Sequence, residues 1–189
     1  MQGPNRPTRR PRKAFHRGAG RPQHHGTFSS QDSWNTSVMA AFLHVAPGGM
    51  RFNGPELGAW YAADDIRTAA AEVGHHLRRE TIARNLASMT RTYRAYTATL
   101  LGDYIDIRGQ QAARPDIYTS NRYDGSQKLG EEVRAPGGAG LLYDSLRRRT
   151  GSNVVAHRPR NITEILQTDH FEITVLAMSR MIDIRKLYL

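Results

Sequence analysis

Four residues of this chain are of the types that do chemistry, and they stand where folded elements would present them: Arg51, Tyr61, Glu72 and Ser145. A planar guanidinium such as that of Arg51 grips a phosphate or hydroxyl oxygen through paired hydrogen bonds. A fixed carboxylate such as that of Glu72 stabilises positive charge developing on a reacting centre. Tyr61 offers a ring to stack on, and Ser145 a hydroxyl that orients a partner by hydrogen bonding. Each also has a plainer reading: a turn arginine as a surface charge, a helix-flank glutamate as a solvated residue, a serine after a strand as part of a turn. Their order along the chain sets them apart.

The first three lie in one turn-strand-helix unit, residues 48–80. Gly48-Gly49 and Asn53-Gly54-Pro55 supply the backbone angles of a tight reversal around Arg51. Leu57 to Ala63, short and apolar, reads as a buried strand containing Tyr61. Asp64 or Asp65 then caps a helix in which Ile66, Ala69, Ala70, Val73 and Leu77 form one apolar stripe, with Glu72 beside it. A carboxylate in that place must reach solvent or face a polar cleft. Ser145 belongs to a second unit, after the breaker Ala135-Pro136-Gly137-Gly138 and the strand Ala139 to Tyr143. Arg147, Arg148 and Arg149 follow it, and then a further strand, Asn153 to His157.

The remaining elements complete an α+β pattern. Val38 to Val45 is an apolar run of strand length that a short buried helix would also fit. The helix of Glu72 is expected to continue through Ile82, Leu86 and Met89. Thr92 to Leu101 reads as a strand, Tyr104 to Ile107 as its continuation or an edge piece, and 108–118 as a loop. Asp124 or Ser126 opens a helix that buries Leu129 and Val133. Residues 177–189 are expected as a C-terminal extension, with Met178, Met181, Ile182, Ile184 and Leu187 on an added helix.

The 189 residues suit one domain with a real core, and the absence of cysteine excludes disulfides and thiolate metal sites. No second histidine stands at ligand spacing from His44, and the adjacent His75 and His76 point to different sides of a helix, so no metal is expected. No run approaches the roughly 20 apolar residues that cross a bilayer. A soluble, cytoplasmic protein is the expectation. Of the net charge of +10, seven charges fall in 1–26, which also holds Pro4, Pro7, Pro11 and Pro22. That segment reads as a disordered basic tail, able to touch phosphates without sequence preference.

Arg51 in its G-G-x-R-F-N turn, Tyr61 in Y-A-A, Glu72 in T-A-A-A-E and Ser145 in G-L-L-Y-D-S-L-R resemble, in that order, the motifs of the RES domain. That family is named for an arginine, a glutamate and a serine. Arg158-Pro159-Arg160 extends the match, and the domain is placed at 34–176. Two departures stand out. Members usually begin with a strand carrying a further arginine in a Y-R or F-R pair, for which Phe15-His16-Arg17 is the nearest candidate, and the pattern usually ends near Leu176.

The resemblance implies an ADP-ribosyltransferase-like fold, two small packed sheets with flanking helices around a cleft for nicotinamide adenine dinucleotide (NAD). It implies a toxin that consumes NAD, with an Xre-type helix-turn-helix antitoxin as partner and a homo-oligomer as a further expectation. On this reading Glu72 stabilises an oxocarbenium-like ribose, Arg51 holds a phosphate or ribose oxygen, Tyr61 stacks on the nicotinamide or ribose, and Ser145 orients the ribose or carboxamide. No base stands ready to make Ser145 a nucleophile. Water, phosphate or a protein is the acceptor, the last making the chain an ADP-ribosyltransferase. A basic nucleic-acid-binding protein acting through its tail is the reading from another class.

Overall fold

The computed structural model describes residues 11–16, 38–120 and 122–188. Two four-stranded sheets form the frame. The first has the order β1-β3-β7-β8, with β1 Pro11–His16, β3 Ser88–Leu100, β7 Ile162–Leu176 and β8 Ile182–Leu187, all antiparallel. The second has the order β2-β6-β5-β4, with β2 Trp60–Ala63, β6 Ser152–Ala156, β5 Gly140–Asp144 and β4 Tyr104–Asp106. Only the β4–β5 pair is parallel among these described strands.

Three apolar clusters follow from the alternation of side chains along the strands. Between the sheets, Trp60, Ala62, Leu142, Val154 and Ala156 of the second meet Ala98, Leu100 and Ile162 of the first. Helix α1, described over 38–43, closes this layer through Val38. The run Val38 to Val45 is thus helical where it is ordered as an element, the outcome that periodicity alone left open. Helix α2, Ile66–Ala83, lays Ala69, Ala70 and Leu77 on Tyr93, Phe171, Ile173 and Val175 of the first sheet. On the outer face of the second sheet, Val155, Leu141 and Tyr143 pack under Phe52, Ile117 and Val133, the last from helix α3, Asp124–Arg134.

Three expectations are corrected. The basic tail contains a strand over residues 11–16: β1 pairs along its whole length with β3, from Pro11↔Thr99 to His16↔Arg94. Proline is tolerated at the first residue of a strand, and backbone hydrogen bonds hold an edge without the apolar composition that signals a core. The rest of 1–26, Arg17 included, lies outside the described residues. The C-terminal extension is a strand and not a helix, because Ile182 and Ile184 alternate in register with Val175 and Ile173 of β7. It is seated on α2 at Gly74, where an added Cβ would lie 2.7 Å from Ile182 Cδ1. Finally, α2 stops at Ala83 and does not run on to Met89, which is already in β3. Asn85 turns the chain there with a positive φ of 55°.

Candidate active site

The site gathers at the end of the second sheet where Ala63, Asn153 and Tyr143 lie side by side on β2, β6 and β5. Alternation puts Tyr61, Asn153, Tyr143 and the following Ser145 on one face. Helix α2 supplies Glu72 above them. Its start is fixed by Asp65, whose Oδ1 accepts from Thr68 N at 2.8 Å as an N-cap.

Glu72 and Ser145, 73 residues apart, touch. Ser145 Oγ donates to Glu72 Oε1 at 2.7 Å, and Asn153 Nδ2 donates to the same oxygen at 2.8 Å. Among the described residues no hydrogen bond reaches Oε2 of Glu72. Ser145 and Asn153 are buried, whereas Glu72 is half-buried, so one carboxylate oxygen is anchored inward and the other is left for a partner. Asn153 was not singled out from the sequence. Its residue type and its place one strand from Ser145 are ordinary, and the only available signal was a polar residue opening an otherwise apolar strand.

Ser145 is fully employed. Besides its bond to Glu72, Oγ accepts the backbone N–H of Arg147 and of Arg148, each at 3.1 Å. These donors occupy both lone pairs, leaving the oxygen neither a free donor for a substrate nor an electron pair to attack with. Glu72 stands beside Ser145 as its acceptor, yet the hydroxyl oxygen has no lone pair left for attack. The loop is closed by Ser145 N to Gly151 O at 2.9 Å and pressed onto α2 at Gly151, where a Cβ would lie 2.3 Å from Thr68 Oγ1.

The three consecutive arginines do not form one solvated run. Arg148 Nη1 bonds Asp65 Oδ2 and, at 2.8 Å, Thr68 Oγ1, tying the loop to the first turn of α2. Burial alone would raise the Asp65 carboxyl; the Thr68 N–H and the Arg148 guanidinium outweigh it and hold it below its ordinary value. Burial, with Arg147 adding to it, lowers the pKa of the neighbouring His75 to about 4.

Arg51 and Tyr61 are held by a separate set of contacts. Gly49 turns the chain with φ 69°, where a Cβ would lie 2.3 Å from Asn53 O. Arg51 Nη1 then donates to Ile117 O at 3.1 Å and to Thr119 O at 2.9 Å, and its guanidinium lies 5.0 Å over the Tyr123 ring. The Tyr61 hydroxyl donates to Asn53 Oδ1 at 2.8 Å and accepts from Phe52 N at 2.9 Å. Burial raises that phenol well above its ordinary pKa, against the pull of Arg134 and Arg51. Tyr143 feels both groups: its ring meets Phe52 edge-on at 4.7 Å, and burial together with the Glu72 carboxylate pushes its hydroxyl up while Arg51 opposes them. Glu72 and Ser145 are thus in direct contact, and Arg51 and Tyr61 share the neighbourhood of Tyr143 with them.

Fold and site together define a two-sheet α+β domain with a carboxylate, a hydroxyl and an amide clustered at one sheet end. The model of the RES domain matches residues 25–175, and the chain belongs to that family. Among solved structures, a chain in the crystal structure of the M. tuberculosis MbcT–MbcA toxin–antitoxin complex is similar, with a TM-score of 0.53 and 18% identity over 86% of each chain. The curated proteins give no match. The α+β architecture of two small sheets with flanking helices that the resemblance implies is the one observed. No group of three or more His, Asp or Glu side chains among the described residues could hold a metal ion, and no described helix is long and apolar enough to cross a membrane.

Proposed function

We propose that this protein is a toxin that consumes NAD by cleaving its nicotinamide–ribose bond, with Glu72 as the catalytic residue. The observation that carries this reading is the anchoring of one Glu72 oxygen by Ser145 and Asn153 while the other accepts no hydrogen bond from the described residues. Nicotinamide leaves as a neutral molecule from a cationic precursor, so little acid assistance is needed and the barrier lies in forming an oxocarbenium-like ribose. A carboxylate whose orientation is set before the reaction stabilises that charge without reorganising.

Arg51 and Tyr61 bind and place the dinucleotide in this account. The guanidinium, steadied through Nη1 and the Tyr123 ring, reaches a phosphate or ribose oxygen, and the Tyr61 ring, locked by its hydroxyl bonds, offers a fixed face for the nicotinamide or ribose. Ser145 acts through Glu72 as a positioning residue, a role different from the ribose contact first expected of it, because its hydroxyl is already saturated. The partner is an Xre-type helix-turn-helix antitoxin covering the cleft; the exposed Arg149 and half-buried Arg147 are the loop arginines available to it, Arg148 being held by Asp65.

Incubation of the purified chain with NAD, with and without phosphate, tests this. Loss of NAD with release of free nicotinamide is the expected result, and the second product, ADP-ribose or its phosphorylated form, reports whether water or phosphate is the acceptor. Intact NAD after incubation with freshly expressed, folded protein overturns the reading.

A further inference from the structure

At the other end of the second sheet from Glu72, past the last residue of β6, lies an open groove of about 580 Å³, within the range of small-molecule sites. Three residues of β6 separate Asn153 from His157, about 13 Å along a strand, and neither Glu72 nor Ser145 lines the groove. Leu43, Leu57 and Pro159 make its apolar walls, and both leucines are well exposed, 69% and 55%.

Its polar groups are unusual in being buried and under-bonded. His157 is 3% exposed, and no hydrogen bond of proper geometry reaches either ring nitrogen, although the Phe52 carbonyl lies near enough to favour the charged form slightly. Arg134 is 7% exposed and spends Nη2 on Gly58 O at 2.9 Å, leaving Nε without a hydrogen bond; Glu131 Oε2 is 3.7 Å from it. Arg158 spends Nη2 on Arg134 O at 2.8 Å, and its buried Nε also lacks a partner. Buried donors without acceptors are disfavoured, because each has given up its hydrogen bond to water. Two guanidinium groups against the single carboxylate of Glu131 leave the lining one positive charge in excess.

We propose that this groove is a second binding site, for a carboxylate carried on an apolar body. The carboxylate accepts from the Nε–H groups of Arg134 and Arg158, neither of which makes a hydrogen bond, and from the His157 imidazole, and the hydrocarbon part rests on Leu43, Leu57 and Pro159. A monoanion matches the excess charge. A more highly charged, fully hydrated phosphate would meet Glu131 and leave the leucines uncovered. The site is independent of NAD chemistry and does not rest on it.

Three probes separate these alternatives on the full chain without NAD: sodium phenylacetate, phenethylamine (the same ring on a cation) and inorganic phosphate. Binding is followed through the thermal midpoint and through the His157 imidazole signals, assigned with His157→Gln. Phenylacetate is expected to raise the midpoint saturably and to shift the His157 titration upward, with phenethylamine inert and phosphate at least tenfold weaker. Arg158→Gln, at a half-buried position, is expected to weaken phenylacetate at least tenfold, and Glu131→Gln, which removes the opposing charge, to tighten it several-fold. Absence of saturable binding, phosphate equal to phenylacetate, or binding unchanged in Arg158→Gln overturns the proposal.

Discussion

Ser145 Oγ donates to Glu72 Oε1 at 2.7 Å while accepting two backbone N–H groups from its own loop. The glutamate is thereby bolted to the strand end from a helix that arrives from elsewhere in the chain. Ser145→Ala removes the bolt and orphans two N–H donors. It is expected to destabilise the fold by about 1–3 kcal/mol, read as a shifted denaturant midpoint at constant m. The loss of turnover should be smaller than that caused by changing Glu72, because the carboxylate itself remains.

Asn153 is predicted to act only through Glu72. Asn153→Ala should lower kcat for NAD about tenfold while leaving KM within about twofold, the split expected when a group that bears on the transition state is misplaced. Asn153→Asp removes the Nδ2 donor and sets a like charge against Glu72, and should lose more than the alanine variant. A raised KM with kcat unchanged in the alanine variant would assign Asn153 to substrate binding.

The Asp65 cap and its bridge to Arg148 hold the Ser145 loop on α2. Asp65→Ala should reduce stability by about 1 kcal/mol, as loss of an N-cap does. Because the folded-state pKa of Asp65 is depressed, its contribution is complete above the unfolded value and disappears as pH falls through the lower folded value. Urea midpoints that fall in parallel for wild type and variant across that acidic window would contradict this.

Much of this site is legible in the sequence, and what is not has a common cause. The Gly49 turn, the Asp65 cap and the α2 stripe are local patterns, written within a few residues of one another, and each is observed. Asn153 is hidden because its partner is 81 residues away in sequence and no local signal marks the pair. Strands β1 and β8 are hidden for two reasons. Both are sheet edges, but β1 is held by a ladder to the distant β3, so Pro11–His16 has the composition of a tail, whereas β8 closes a hairpin on β7 with apolar residues in Ile182–Leu187 that also fit a helix. The saturation of Ser145 required knowing where the N–H groups of Arg147 and Arg148 point.

A second pH window belongs to His157. Burial, with Arg134 adding to it, lowers its pKa to about 4 from an ordinary 6.5. The unfolded chain therefore takes up the proton first, and stability is full above about 6.5 and falls as pH drops towards 4, by up to about 3 kcal/mol. His157→Gln should flatten this stretch of the stability profile. An unchanged slope between pH 6.5 and 4 in that variant would show that His157 is not held neutral by its surroundings.

The central claim is that Glu72 is the electrostatic stabiliser of NAD cleavage, and one comparison tests it most directly: the rate of NAD consumption by wild type and by Glu72→Gln at equal concentration of folded protein. Glutamine keeps an oxygen for Ser145 and Asn153 but carries no charge, so folding should be preserved to within about 1 kcal/mol and turnover should fall on the order of 100- to 1000-fold. A Glu72→Gln protein that degrades NAD at the wild-type rate would contradict the account.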